Sequence, residues 1–218
     1  MQNKIVLFCN LKGGVGKSTL CGLFSEYATE SGLPVMVLDA DIQQSLFRHR
    51  ERELKENSGV QAPWQLQSLN TADPSYVQGI MSRLRQIPAV IVIDCPGNIN
   101  DPALKYIYEA ADLAVIPTRY DSDNIDATRL FVNVFKKVSH AQRIFIPNNI
   151  IVVEERREEI LRARDIAIDQ LGKEGIITPR IKQSVVVKCY STLFALTSYQ
   201  RNAVKYAFDP IIDILKKK

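Results

Sequence analysis

Lys12-Gly13-Gly14-Val15-Gly16-Lys17-Ser18-Thr19 is the stretch on which the reading of this chain turns. It lies between an apolar run, Ile5 to Cys9, and a helix-like segment that opens at Ser18. A strand feeding a glycine turn that opens a helix points consecutive N–H groups inward, with the positive end of the helix dipole behind them. That arrangement grips the phosphates of a nucleotide. Glycine is needed there because a Cβ would block close approach and disfavour positive φ. Lys17 is then placed to neutralise the β and γ phosphates, and the Ser18 hydroxyl to ligate Mg2+. The general pattern asks for glycine five residues before Gly16. This chain has Leu11 there, followed by a second lysine, Lys12.

Working outward, short apolar runs alternate with longer amphipathic segments. Ile5–Cys9, Val35–Leu38, Ala89–Ile93, Leu113–Ile116 and Ile144–Ile146 read as buried strands because consecutive positions are apolar. Ala127, Leu130, Phe131, Val134, Phe135 and Val138 follow helical spacing, giving one face to cover a sheet. Strand then helix, repeated, predicts an α/β fold: a doubly wound, mostly parallel sheet with helices on both faces. At 218 residues, without a linker or internal repeat, residues 1–218 read as a single domain. Trp64, Leu66 and Leu69 suggest a short edge strand or the loop beside it, and Asp73-Pro74 begins a helix.

Two further stretches carry carboxylates at strand ends. Asp39-Ala40-Asp41 follows Val35–Leu38, and alternation would aim both side chains toward the carboxyl edge, where ligands bind in such sheets. An acidic strand end that caps the next helix is the competing reading. Val90-Ile91-Val92-Ile93-Asp94-Cys95-Pro96-Gly97 is an apolar strand ending in aspartate, a Walker B element in which Asp94 holds Mg2+ through a water while Ser18 is the direct ligand.

Asn10 to Thr19 closely resembles the deviant Walker A motif of the ParA and MinD ATPases, whose signature lysine occupies the place of Lys12. Asp39-Ala40-Asp41-Ile42-Gln43 is similar to that family's second motif, with Ile42 where the family has proline. The resemblance implies a P-loop NTPase of the deviant Walker A type. Its ATP would be held by Lys12, Gly13, Gly14, Val15, Gly16, Lys17, Ser18 and Thr19, with Lys12, Lys17 and Asp41 catalytic. Asp41 would orient the attacking water, Asp39 would support the metal region, and Asp41, Pro96 and Gly97 would form the switch that senses the γ phosphate. Asn148, in Ile146-Pro147-Asn148-Asn149, is the candidate adenine contact, with a turn-forming Asn-Asn pair as the alternative. Lys12 would cross a two-fold interface to the partner's nucleotide, so that ATP joins two copies into a homodimer. No arginine finger or Ras-type glutamine is evident, so basal turnover is expected to be slow.

Net charge is +4, but its distribution is uneven. From Lys173 to Lys218, nine basic residues stand against three acidic ones, a net +6 that leaves −2 for the rest. A polyanion partner becomes plausible, with Arg180, Lys182, Lys188, Arg201 and Lys205 as candidate contacts. By resemblance the protein would be a cytoplasmic, nucleoid-associated DNA-partition ATPase that binds DNA without sequence preference, stimulated by a ParB-like centromere-binding partner. No separate helix-turn-helix is expected ahead of the first strand. A MinD-like membrane-positioning ATPase is the alternative. Its lipid-binding segment would have to be Ile211, Ile212, Ile214 and Leu215, which is short, starts at Pro210 and carries Asp213, so membrane association is not expected. Cys9, Cys21, Cys95 and Cys189 lack metal-ligand spacing and read as reduced core thiols. Bridging iron–sulfur chemistry is thereby disfavoured. His49 and His140 sit in no ligand pattern and read as structural or surface residues.

Overall fold

A computed structural model describes residues 3–98 and 101–217; Lys218 of the basic tail lies outside them. Seven strands form one sheet in the order β3-β2-β4-β1-β5-β6-β7, every pair parallel. They are β1 (Lys4–Phe8), β2 (Val35–Asp39), β3 (Gln65–Ser68), β4 (Val90–Asp94), β5 (Leu113–Thr118), β6 (Gln142–Pro147) and β7 (Ile176–Ile177). Parallel pairing needs crossovers, which are supplied by α1 (Lys17–Glu30), α2 (Ser45–Glu56), α3 (Pro74–Leu84), α4 (Leu104–Glu109), α5 (Ser122–Phe135) and α6 (Glu158–Gly172). A short α7 (Val185–Lys188) and a long α8 (Ser198–Lys216) follow the last strand.

The central strands are apolar on both faces because both faces are covered. Ile5 and Leu7 of β1, and Cys9 just past it, face one core, shared with Val77, Met81, Leu104, Ile107, Phe131 and Phe135. Val6 and Phe8 face the other, with Leu20, Phe24, Phe208 and Ile211. On that second face the rings of Phe8 and Phe24 lie 5.5 Å apart, and Phe208 meets Phe24 edge-on at 5.3 Å, which fastens α8 over α1. A capping box between Thr197 and Gln200 starts α8.

Several expectations need adjustment. The sheet is wholly rather than mostly parallel, and its last strand, two residues long, is too short for a periodicity signal. The inward stripe of α5 is Asn124, Ile125, Thr128, Phe131, Val132 and Phe135, so Leu130 is 53% exposed and Val138 lies past the helix. Polar Asn124 and Thr128 hold the buried line, which hides it from an apolar count. Pro210 lies inside α8 rather than beginning a segment, and Ile211, Ile212 and Leu215 are buried against the sheet. Cys9, Cys21 and Cys95 are buried, but Cys189 is exposed.

Candidate nucleotide site

The register brings the three motifs to one edge. Phe8 pairs with Asp94, and Asp39 pairs with Asp94 from the other side. The glycine loop therefore leaves the sheet directly beside both carboxylate-bearing strand ends, on the edge where open parallel sheets bind ligands.

The loop opens α1 without a side-chain cap. Its N-cap is Gly16 at φ 96°, in the left-handed region. The first N–H groups of a helix have no intrahelical partner, and here no side chain takes them. A Cβ at Gly16 would also lie 2.3 Å from Asn148 Nδ2. Asn148 is 5% exposed and donates from that Nδ2 to the Val15 carbonyl at 2.8 Å, bracing the loop from the end of β6. Sequence reasoning missed a second brace: Asn10 donates to the Pro117 carbonyl at 2.8 Å and to Thr128 Oγ1 at 2.9 Å, tying the loop to β5 and α5. An asparagine where an apolar strand ends was the available signal.

Lys17 folds back inside the loop, donating from Nζ to the Lys12 carbonyl at 3.3 Å. A Cβ on Gly97 would approach the same Nζ to 3.4 Å, so the Pro96-Gly97 turn borders the loop directly. Lys12 is half-buried, and among the described residues its ammonium has no ion pair.

Asp94 is fully buried, and neither carboxylate oxygen has a hydrogen-bond partner. Burial pushes its pKa up to about 8; the adjacent Ser18 hydroxyl and Lys17 ammonium pull it down, and Asp39 adds to the rise. Two bare oxygens beside a hydroxyl and a phosphate-binding loop fit a Mg2+ ion. That ion keeps several waters and takes one or two protein oxygens plus phosphate rather than an all-protein cage. No cluster of three or more His, Cys, Asp or Glu residues suited to a metal occurs among the described residues.

The two carboxylates of the second motif separate. The strand ends at Asp39, so its alternation does not reach Asp41. Asp39 accepts from the Asp41 N–H at 3.1 Å through Oδ1, and from the Leu46 and Phe47 N–H groups at 3.0 Å each through Oδ2. Burial raises its pKa while these three donors oppose the rise. Its oxygens are thus committed to seating the start of α2, the capping alternative, and that geometry departs from a metal-supporting role. Asp41 is half-exposed, its Oδ1 accepting from the Gln43 N–H at 2.9 Å, next to Ile42 at 88% exposure.

The five basic candidates fall in three places. Lys182 and Lys188 line a cavity of about 110 Å3 with Gly14, Gly16, Thr19 and Asn148, at the side of the loop away from Asp94's strand. Arg180 pairs with Glu155 at 2.7 Å and Lys205 with Asp209 at 3.2 Å. Arg201 pairs with Glu30 and lies over the Tyr27 ring. His49 stacks on Tyr190 at 4.9 Å and serves packing.

Residues 6–173 match the family described as the CobQ/CobB/MinD/ParA nucleotide binding domain, and the chain belongs to it. It is an ATPase of the ParA/MinD type. Among solved structures it is similar to McdA of Cyanothece in complex with ATP, at 17% identity and a TM-score of 0.76 over 100% of this chain and 98% of that one. A putative plasmid partition protein of Borrelia burgdorferi B31 bound to AMPPNP gives 19% and 0.73, with both chains covered fully. The MinC:MinD cell division complex of Aquifex aeolicus gives 16% and 0.75, over 99% and 96%. No curated protein matches the chain.

Proposed function

We propose that this ATPase drives DNA partition: it dimerises on ATP and Mg2+, binds DNA without sequence preference, and turns over slowly until a ParB-like partner stimulates it. The observation that carries the reading is the unequal pair of lysines at the loop. Lys17 Nζ turns into its own loop and donates to the Lys12 carbonyl at 3.3 Å, where it can meet its own subunit's phosphates, whereas among the described residues the Lys12 ammonium has no ion pair. A free cation at the mouth of a phosphate site is available to a second subunit's nucleotide.

In this reading Gly13, Gly14, Val15, Gly16 and Thr19 wrap the phosphates with their N–H groups, and Lys17 neutralises the β and γ oxygens. Ser18 and Asp94 would hold Mg2+, which when bound would supply charge neutralisation of the phosphates. Asp41 holds the attacking water, and Pro96-Gly97 responds to the γ phosphate. Phosphoryl transfer needs positioning and charge more than covalent help, so these groups suffice. Asn148 braces the loop by donating from Nδ2 to the Val15 carbonyl, and its Oδ1 and second N–H keep it the candidate adenine contact.

A MinD-like membrane role is less well supported, since the apolar end of α8 is consumed by the core. Among the described residues no helix is long and apolar enough to cross a membrane. Retention of duplex DNA is tested with ADP, with a non-hydrolysable ATP analogue and without nucleotide, with anionic liposome sedimentation in parallel. Retention only with the triphosphate, weakening by about 0.9 log units per tenfold rise in salt for each phosphate contact, is expected. Liposome binding without DNA binding would replace this reading with the membrane one.

A further inference from the structure

α2 follows β2 beside the nucleotide site and turns most of its side chains outward. Only Leu46 and Arg50 of its twelve residues are buried. Its inner face is held by polar contacts: Arg50 lies 4.1 Å over the Trp64 ring, donates to the Trp64 carbonyl at 3.1 Å, and donates from Nη2 to the Thr192 carbonyl at 2.7 Å. Glu53 points the same way, accepting from the Thr192 N–H at 2.7 Å. At about 100° per residue, Arg48, Arg52 and Lys55 fall within an arc of about 60° on the opposite face. All three are exposed, and none makes an ion pair among the described residues. Glu51 and Glu56 sit at the margins of that arc.

We propose that Arg48, Arg52 and Lys55 on the outer face of α2 form the surface that takes the phosphate backbone of duplex DNA. The inference rests on the partition reading and gives that reading its contact surface. From Arg48 to Lys55 the helix rises about 10 Å, the span of roughly three phosphates at 3.4 Å each along one strand. The sequence favoured the C-terminal tail for this role, but there Arg180, Arg201 and Lys205 are paired with Glu155, Glu30 and Asp209, and Lys182 and Lys188 flank the nucleotide loop. The α2 stripe carries its charge outward on a helix whose first turn is pinned by Asp39, the register neighbour of Asp94. The DNA surface is thereby mechanically continuous with the strand ends that border the nucleotide.

The test compares wild type with the triple variant Arg48→Gln, Arg52→Gln, Lys55→Gln and with the tail variant Lys205→Gln, Lys216→Gln. Affinity for a fluorescent duplex is measured at several salt concentrations with the non-hydrolysable ATP analogue and Mg2+. The triple variant is expected to lose at least tenfold in affinity and to flatten the log–log salt slope by about 3 per protomer. Its basal ATP turnover should stay within twofold of wild type, which verifies the fold, and the tail variant should bind within twofold of wild type. If wild type binds and the triple variant binds equally with the same slope, the α2 surface is wrong while the partition reading stands. If wild type retains no DNA in any nucleotide state, the partition reading itself fails and this inference with it.

Discussion

Asp94 concentrates the chemistry of the site in one residue. With neither oxygen partnered and its pKa pushed up to about 8 by burial, the folded protein without nucleotide keeps a proton that the unfolded chain releases near 3.8. Between those values the folded state binds more protons, so the stability of the nucleotide-free protein falls as pH rises, and the contribution is lost as pH passes through 8. Asp94→Asn should remove that slope. Thermal melts from pH 5 to 8.5 are expected to show the variant gaining on wild type toward the alkaline end, by about 2–4 °C for each kcal/mol recovered. The same variant should lose Mg2+-dependent hydrolysis by about 100-fold or more, the scale of removing one transition-state charge contact. Parallel melting curves for the two proteins would deny the buried-carboxylate account. The presence of this residue at a strand end was readable from Val90 to Gly97. The division of labour between Asp39 and Asp41 was not, because it depends on the strand stopping at Asp39 and on two N–H groups seven and eight residues further on.

At the scale of elements, legibility followed the strength of the local pattern. β1, β2, β4, β5 and β6 stood out because burial on both faces demands unbroken apolar runs. Asp73 marked a helix start by capping chemistry, accepting from the Ser75 N–H. β7 failed to register because two residues have no period, and the α5 stripe was misplaced because Thr128 and Asn124 are buried for hydrogen bonds. The docking of α8 is a tertiary property carried by aromatic contacts no local window contains. Phe208, wholly buried between Phe24 and Tyr27, is its anchor. Phe208→Ala is expected to cost about 3–5 kcal/mol and to lower the melting temperature by about 10 °C or more. A loss below about 1 kcal/mol in urea titration would mean that α8 is held some other way.

For the whole molecule, the sheet gathers two lysines, a metal-fitting carboxylate and an exposed Ile42 along one edge, while α2 directs its cations outward from the same end. In the proposed reading such an edge is half of a two-fold sandwich, each protomer lending Lys12 to the other's ATP. Light scattering on wild type and Lys12→Ala, with the non-hydrolysable ATP analogue and Mg2+, addresses this most directly. The account predicts a mass of twice 24.6 kDa for wild type and 24.6 kDa for the variant, both proteins binding the analogue. Equal masses for the two proteins would contradict it.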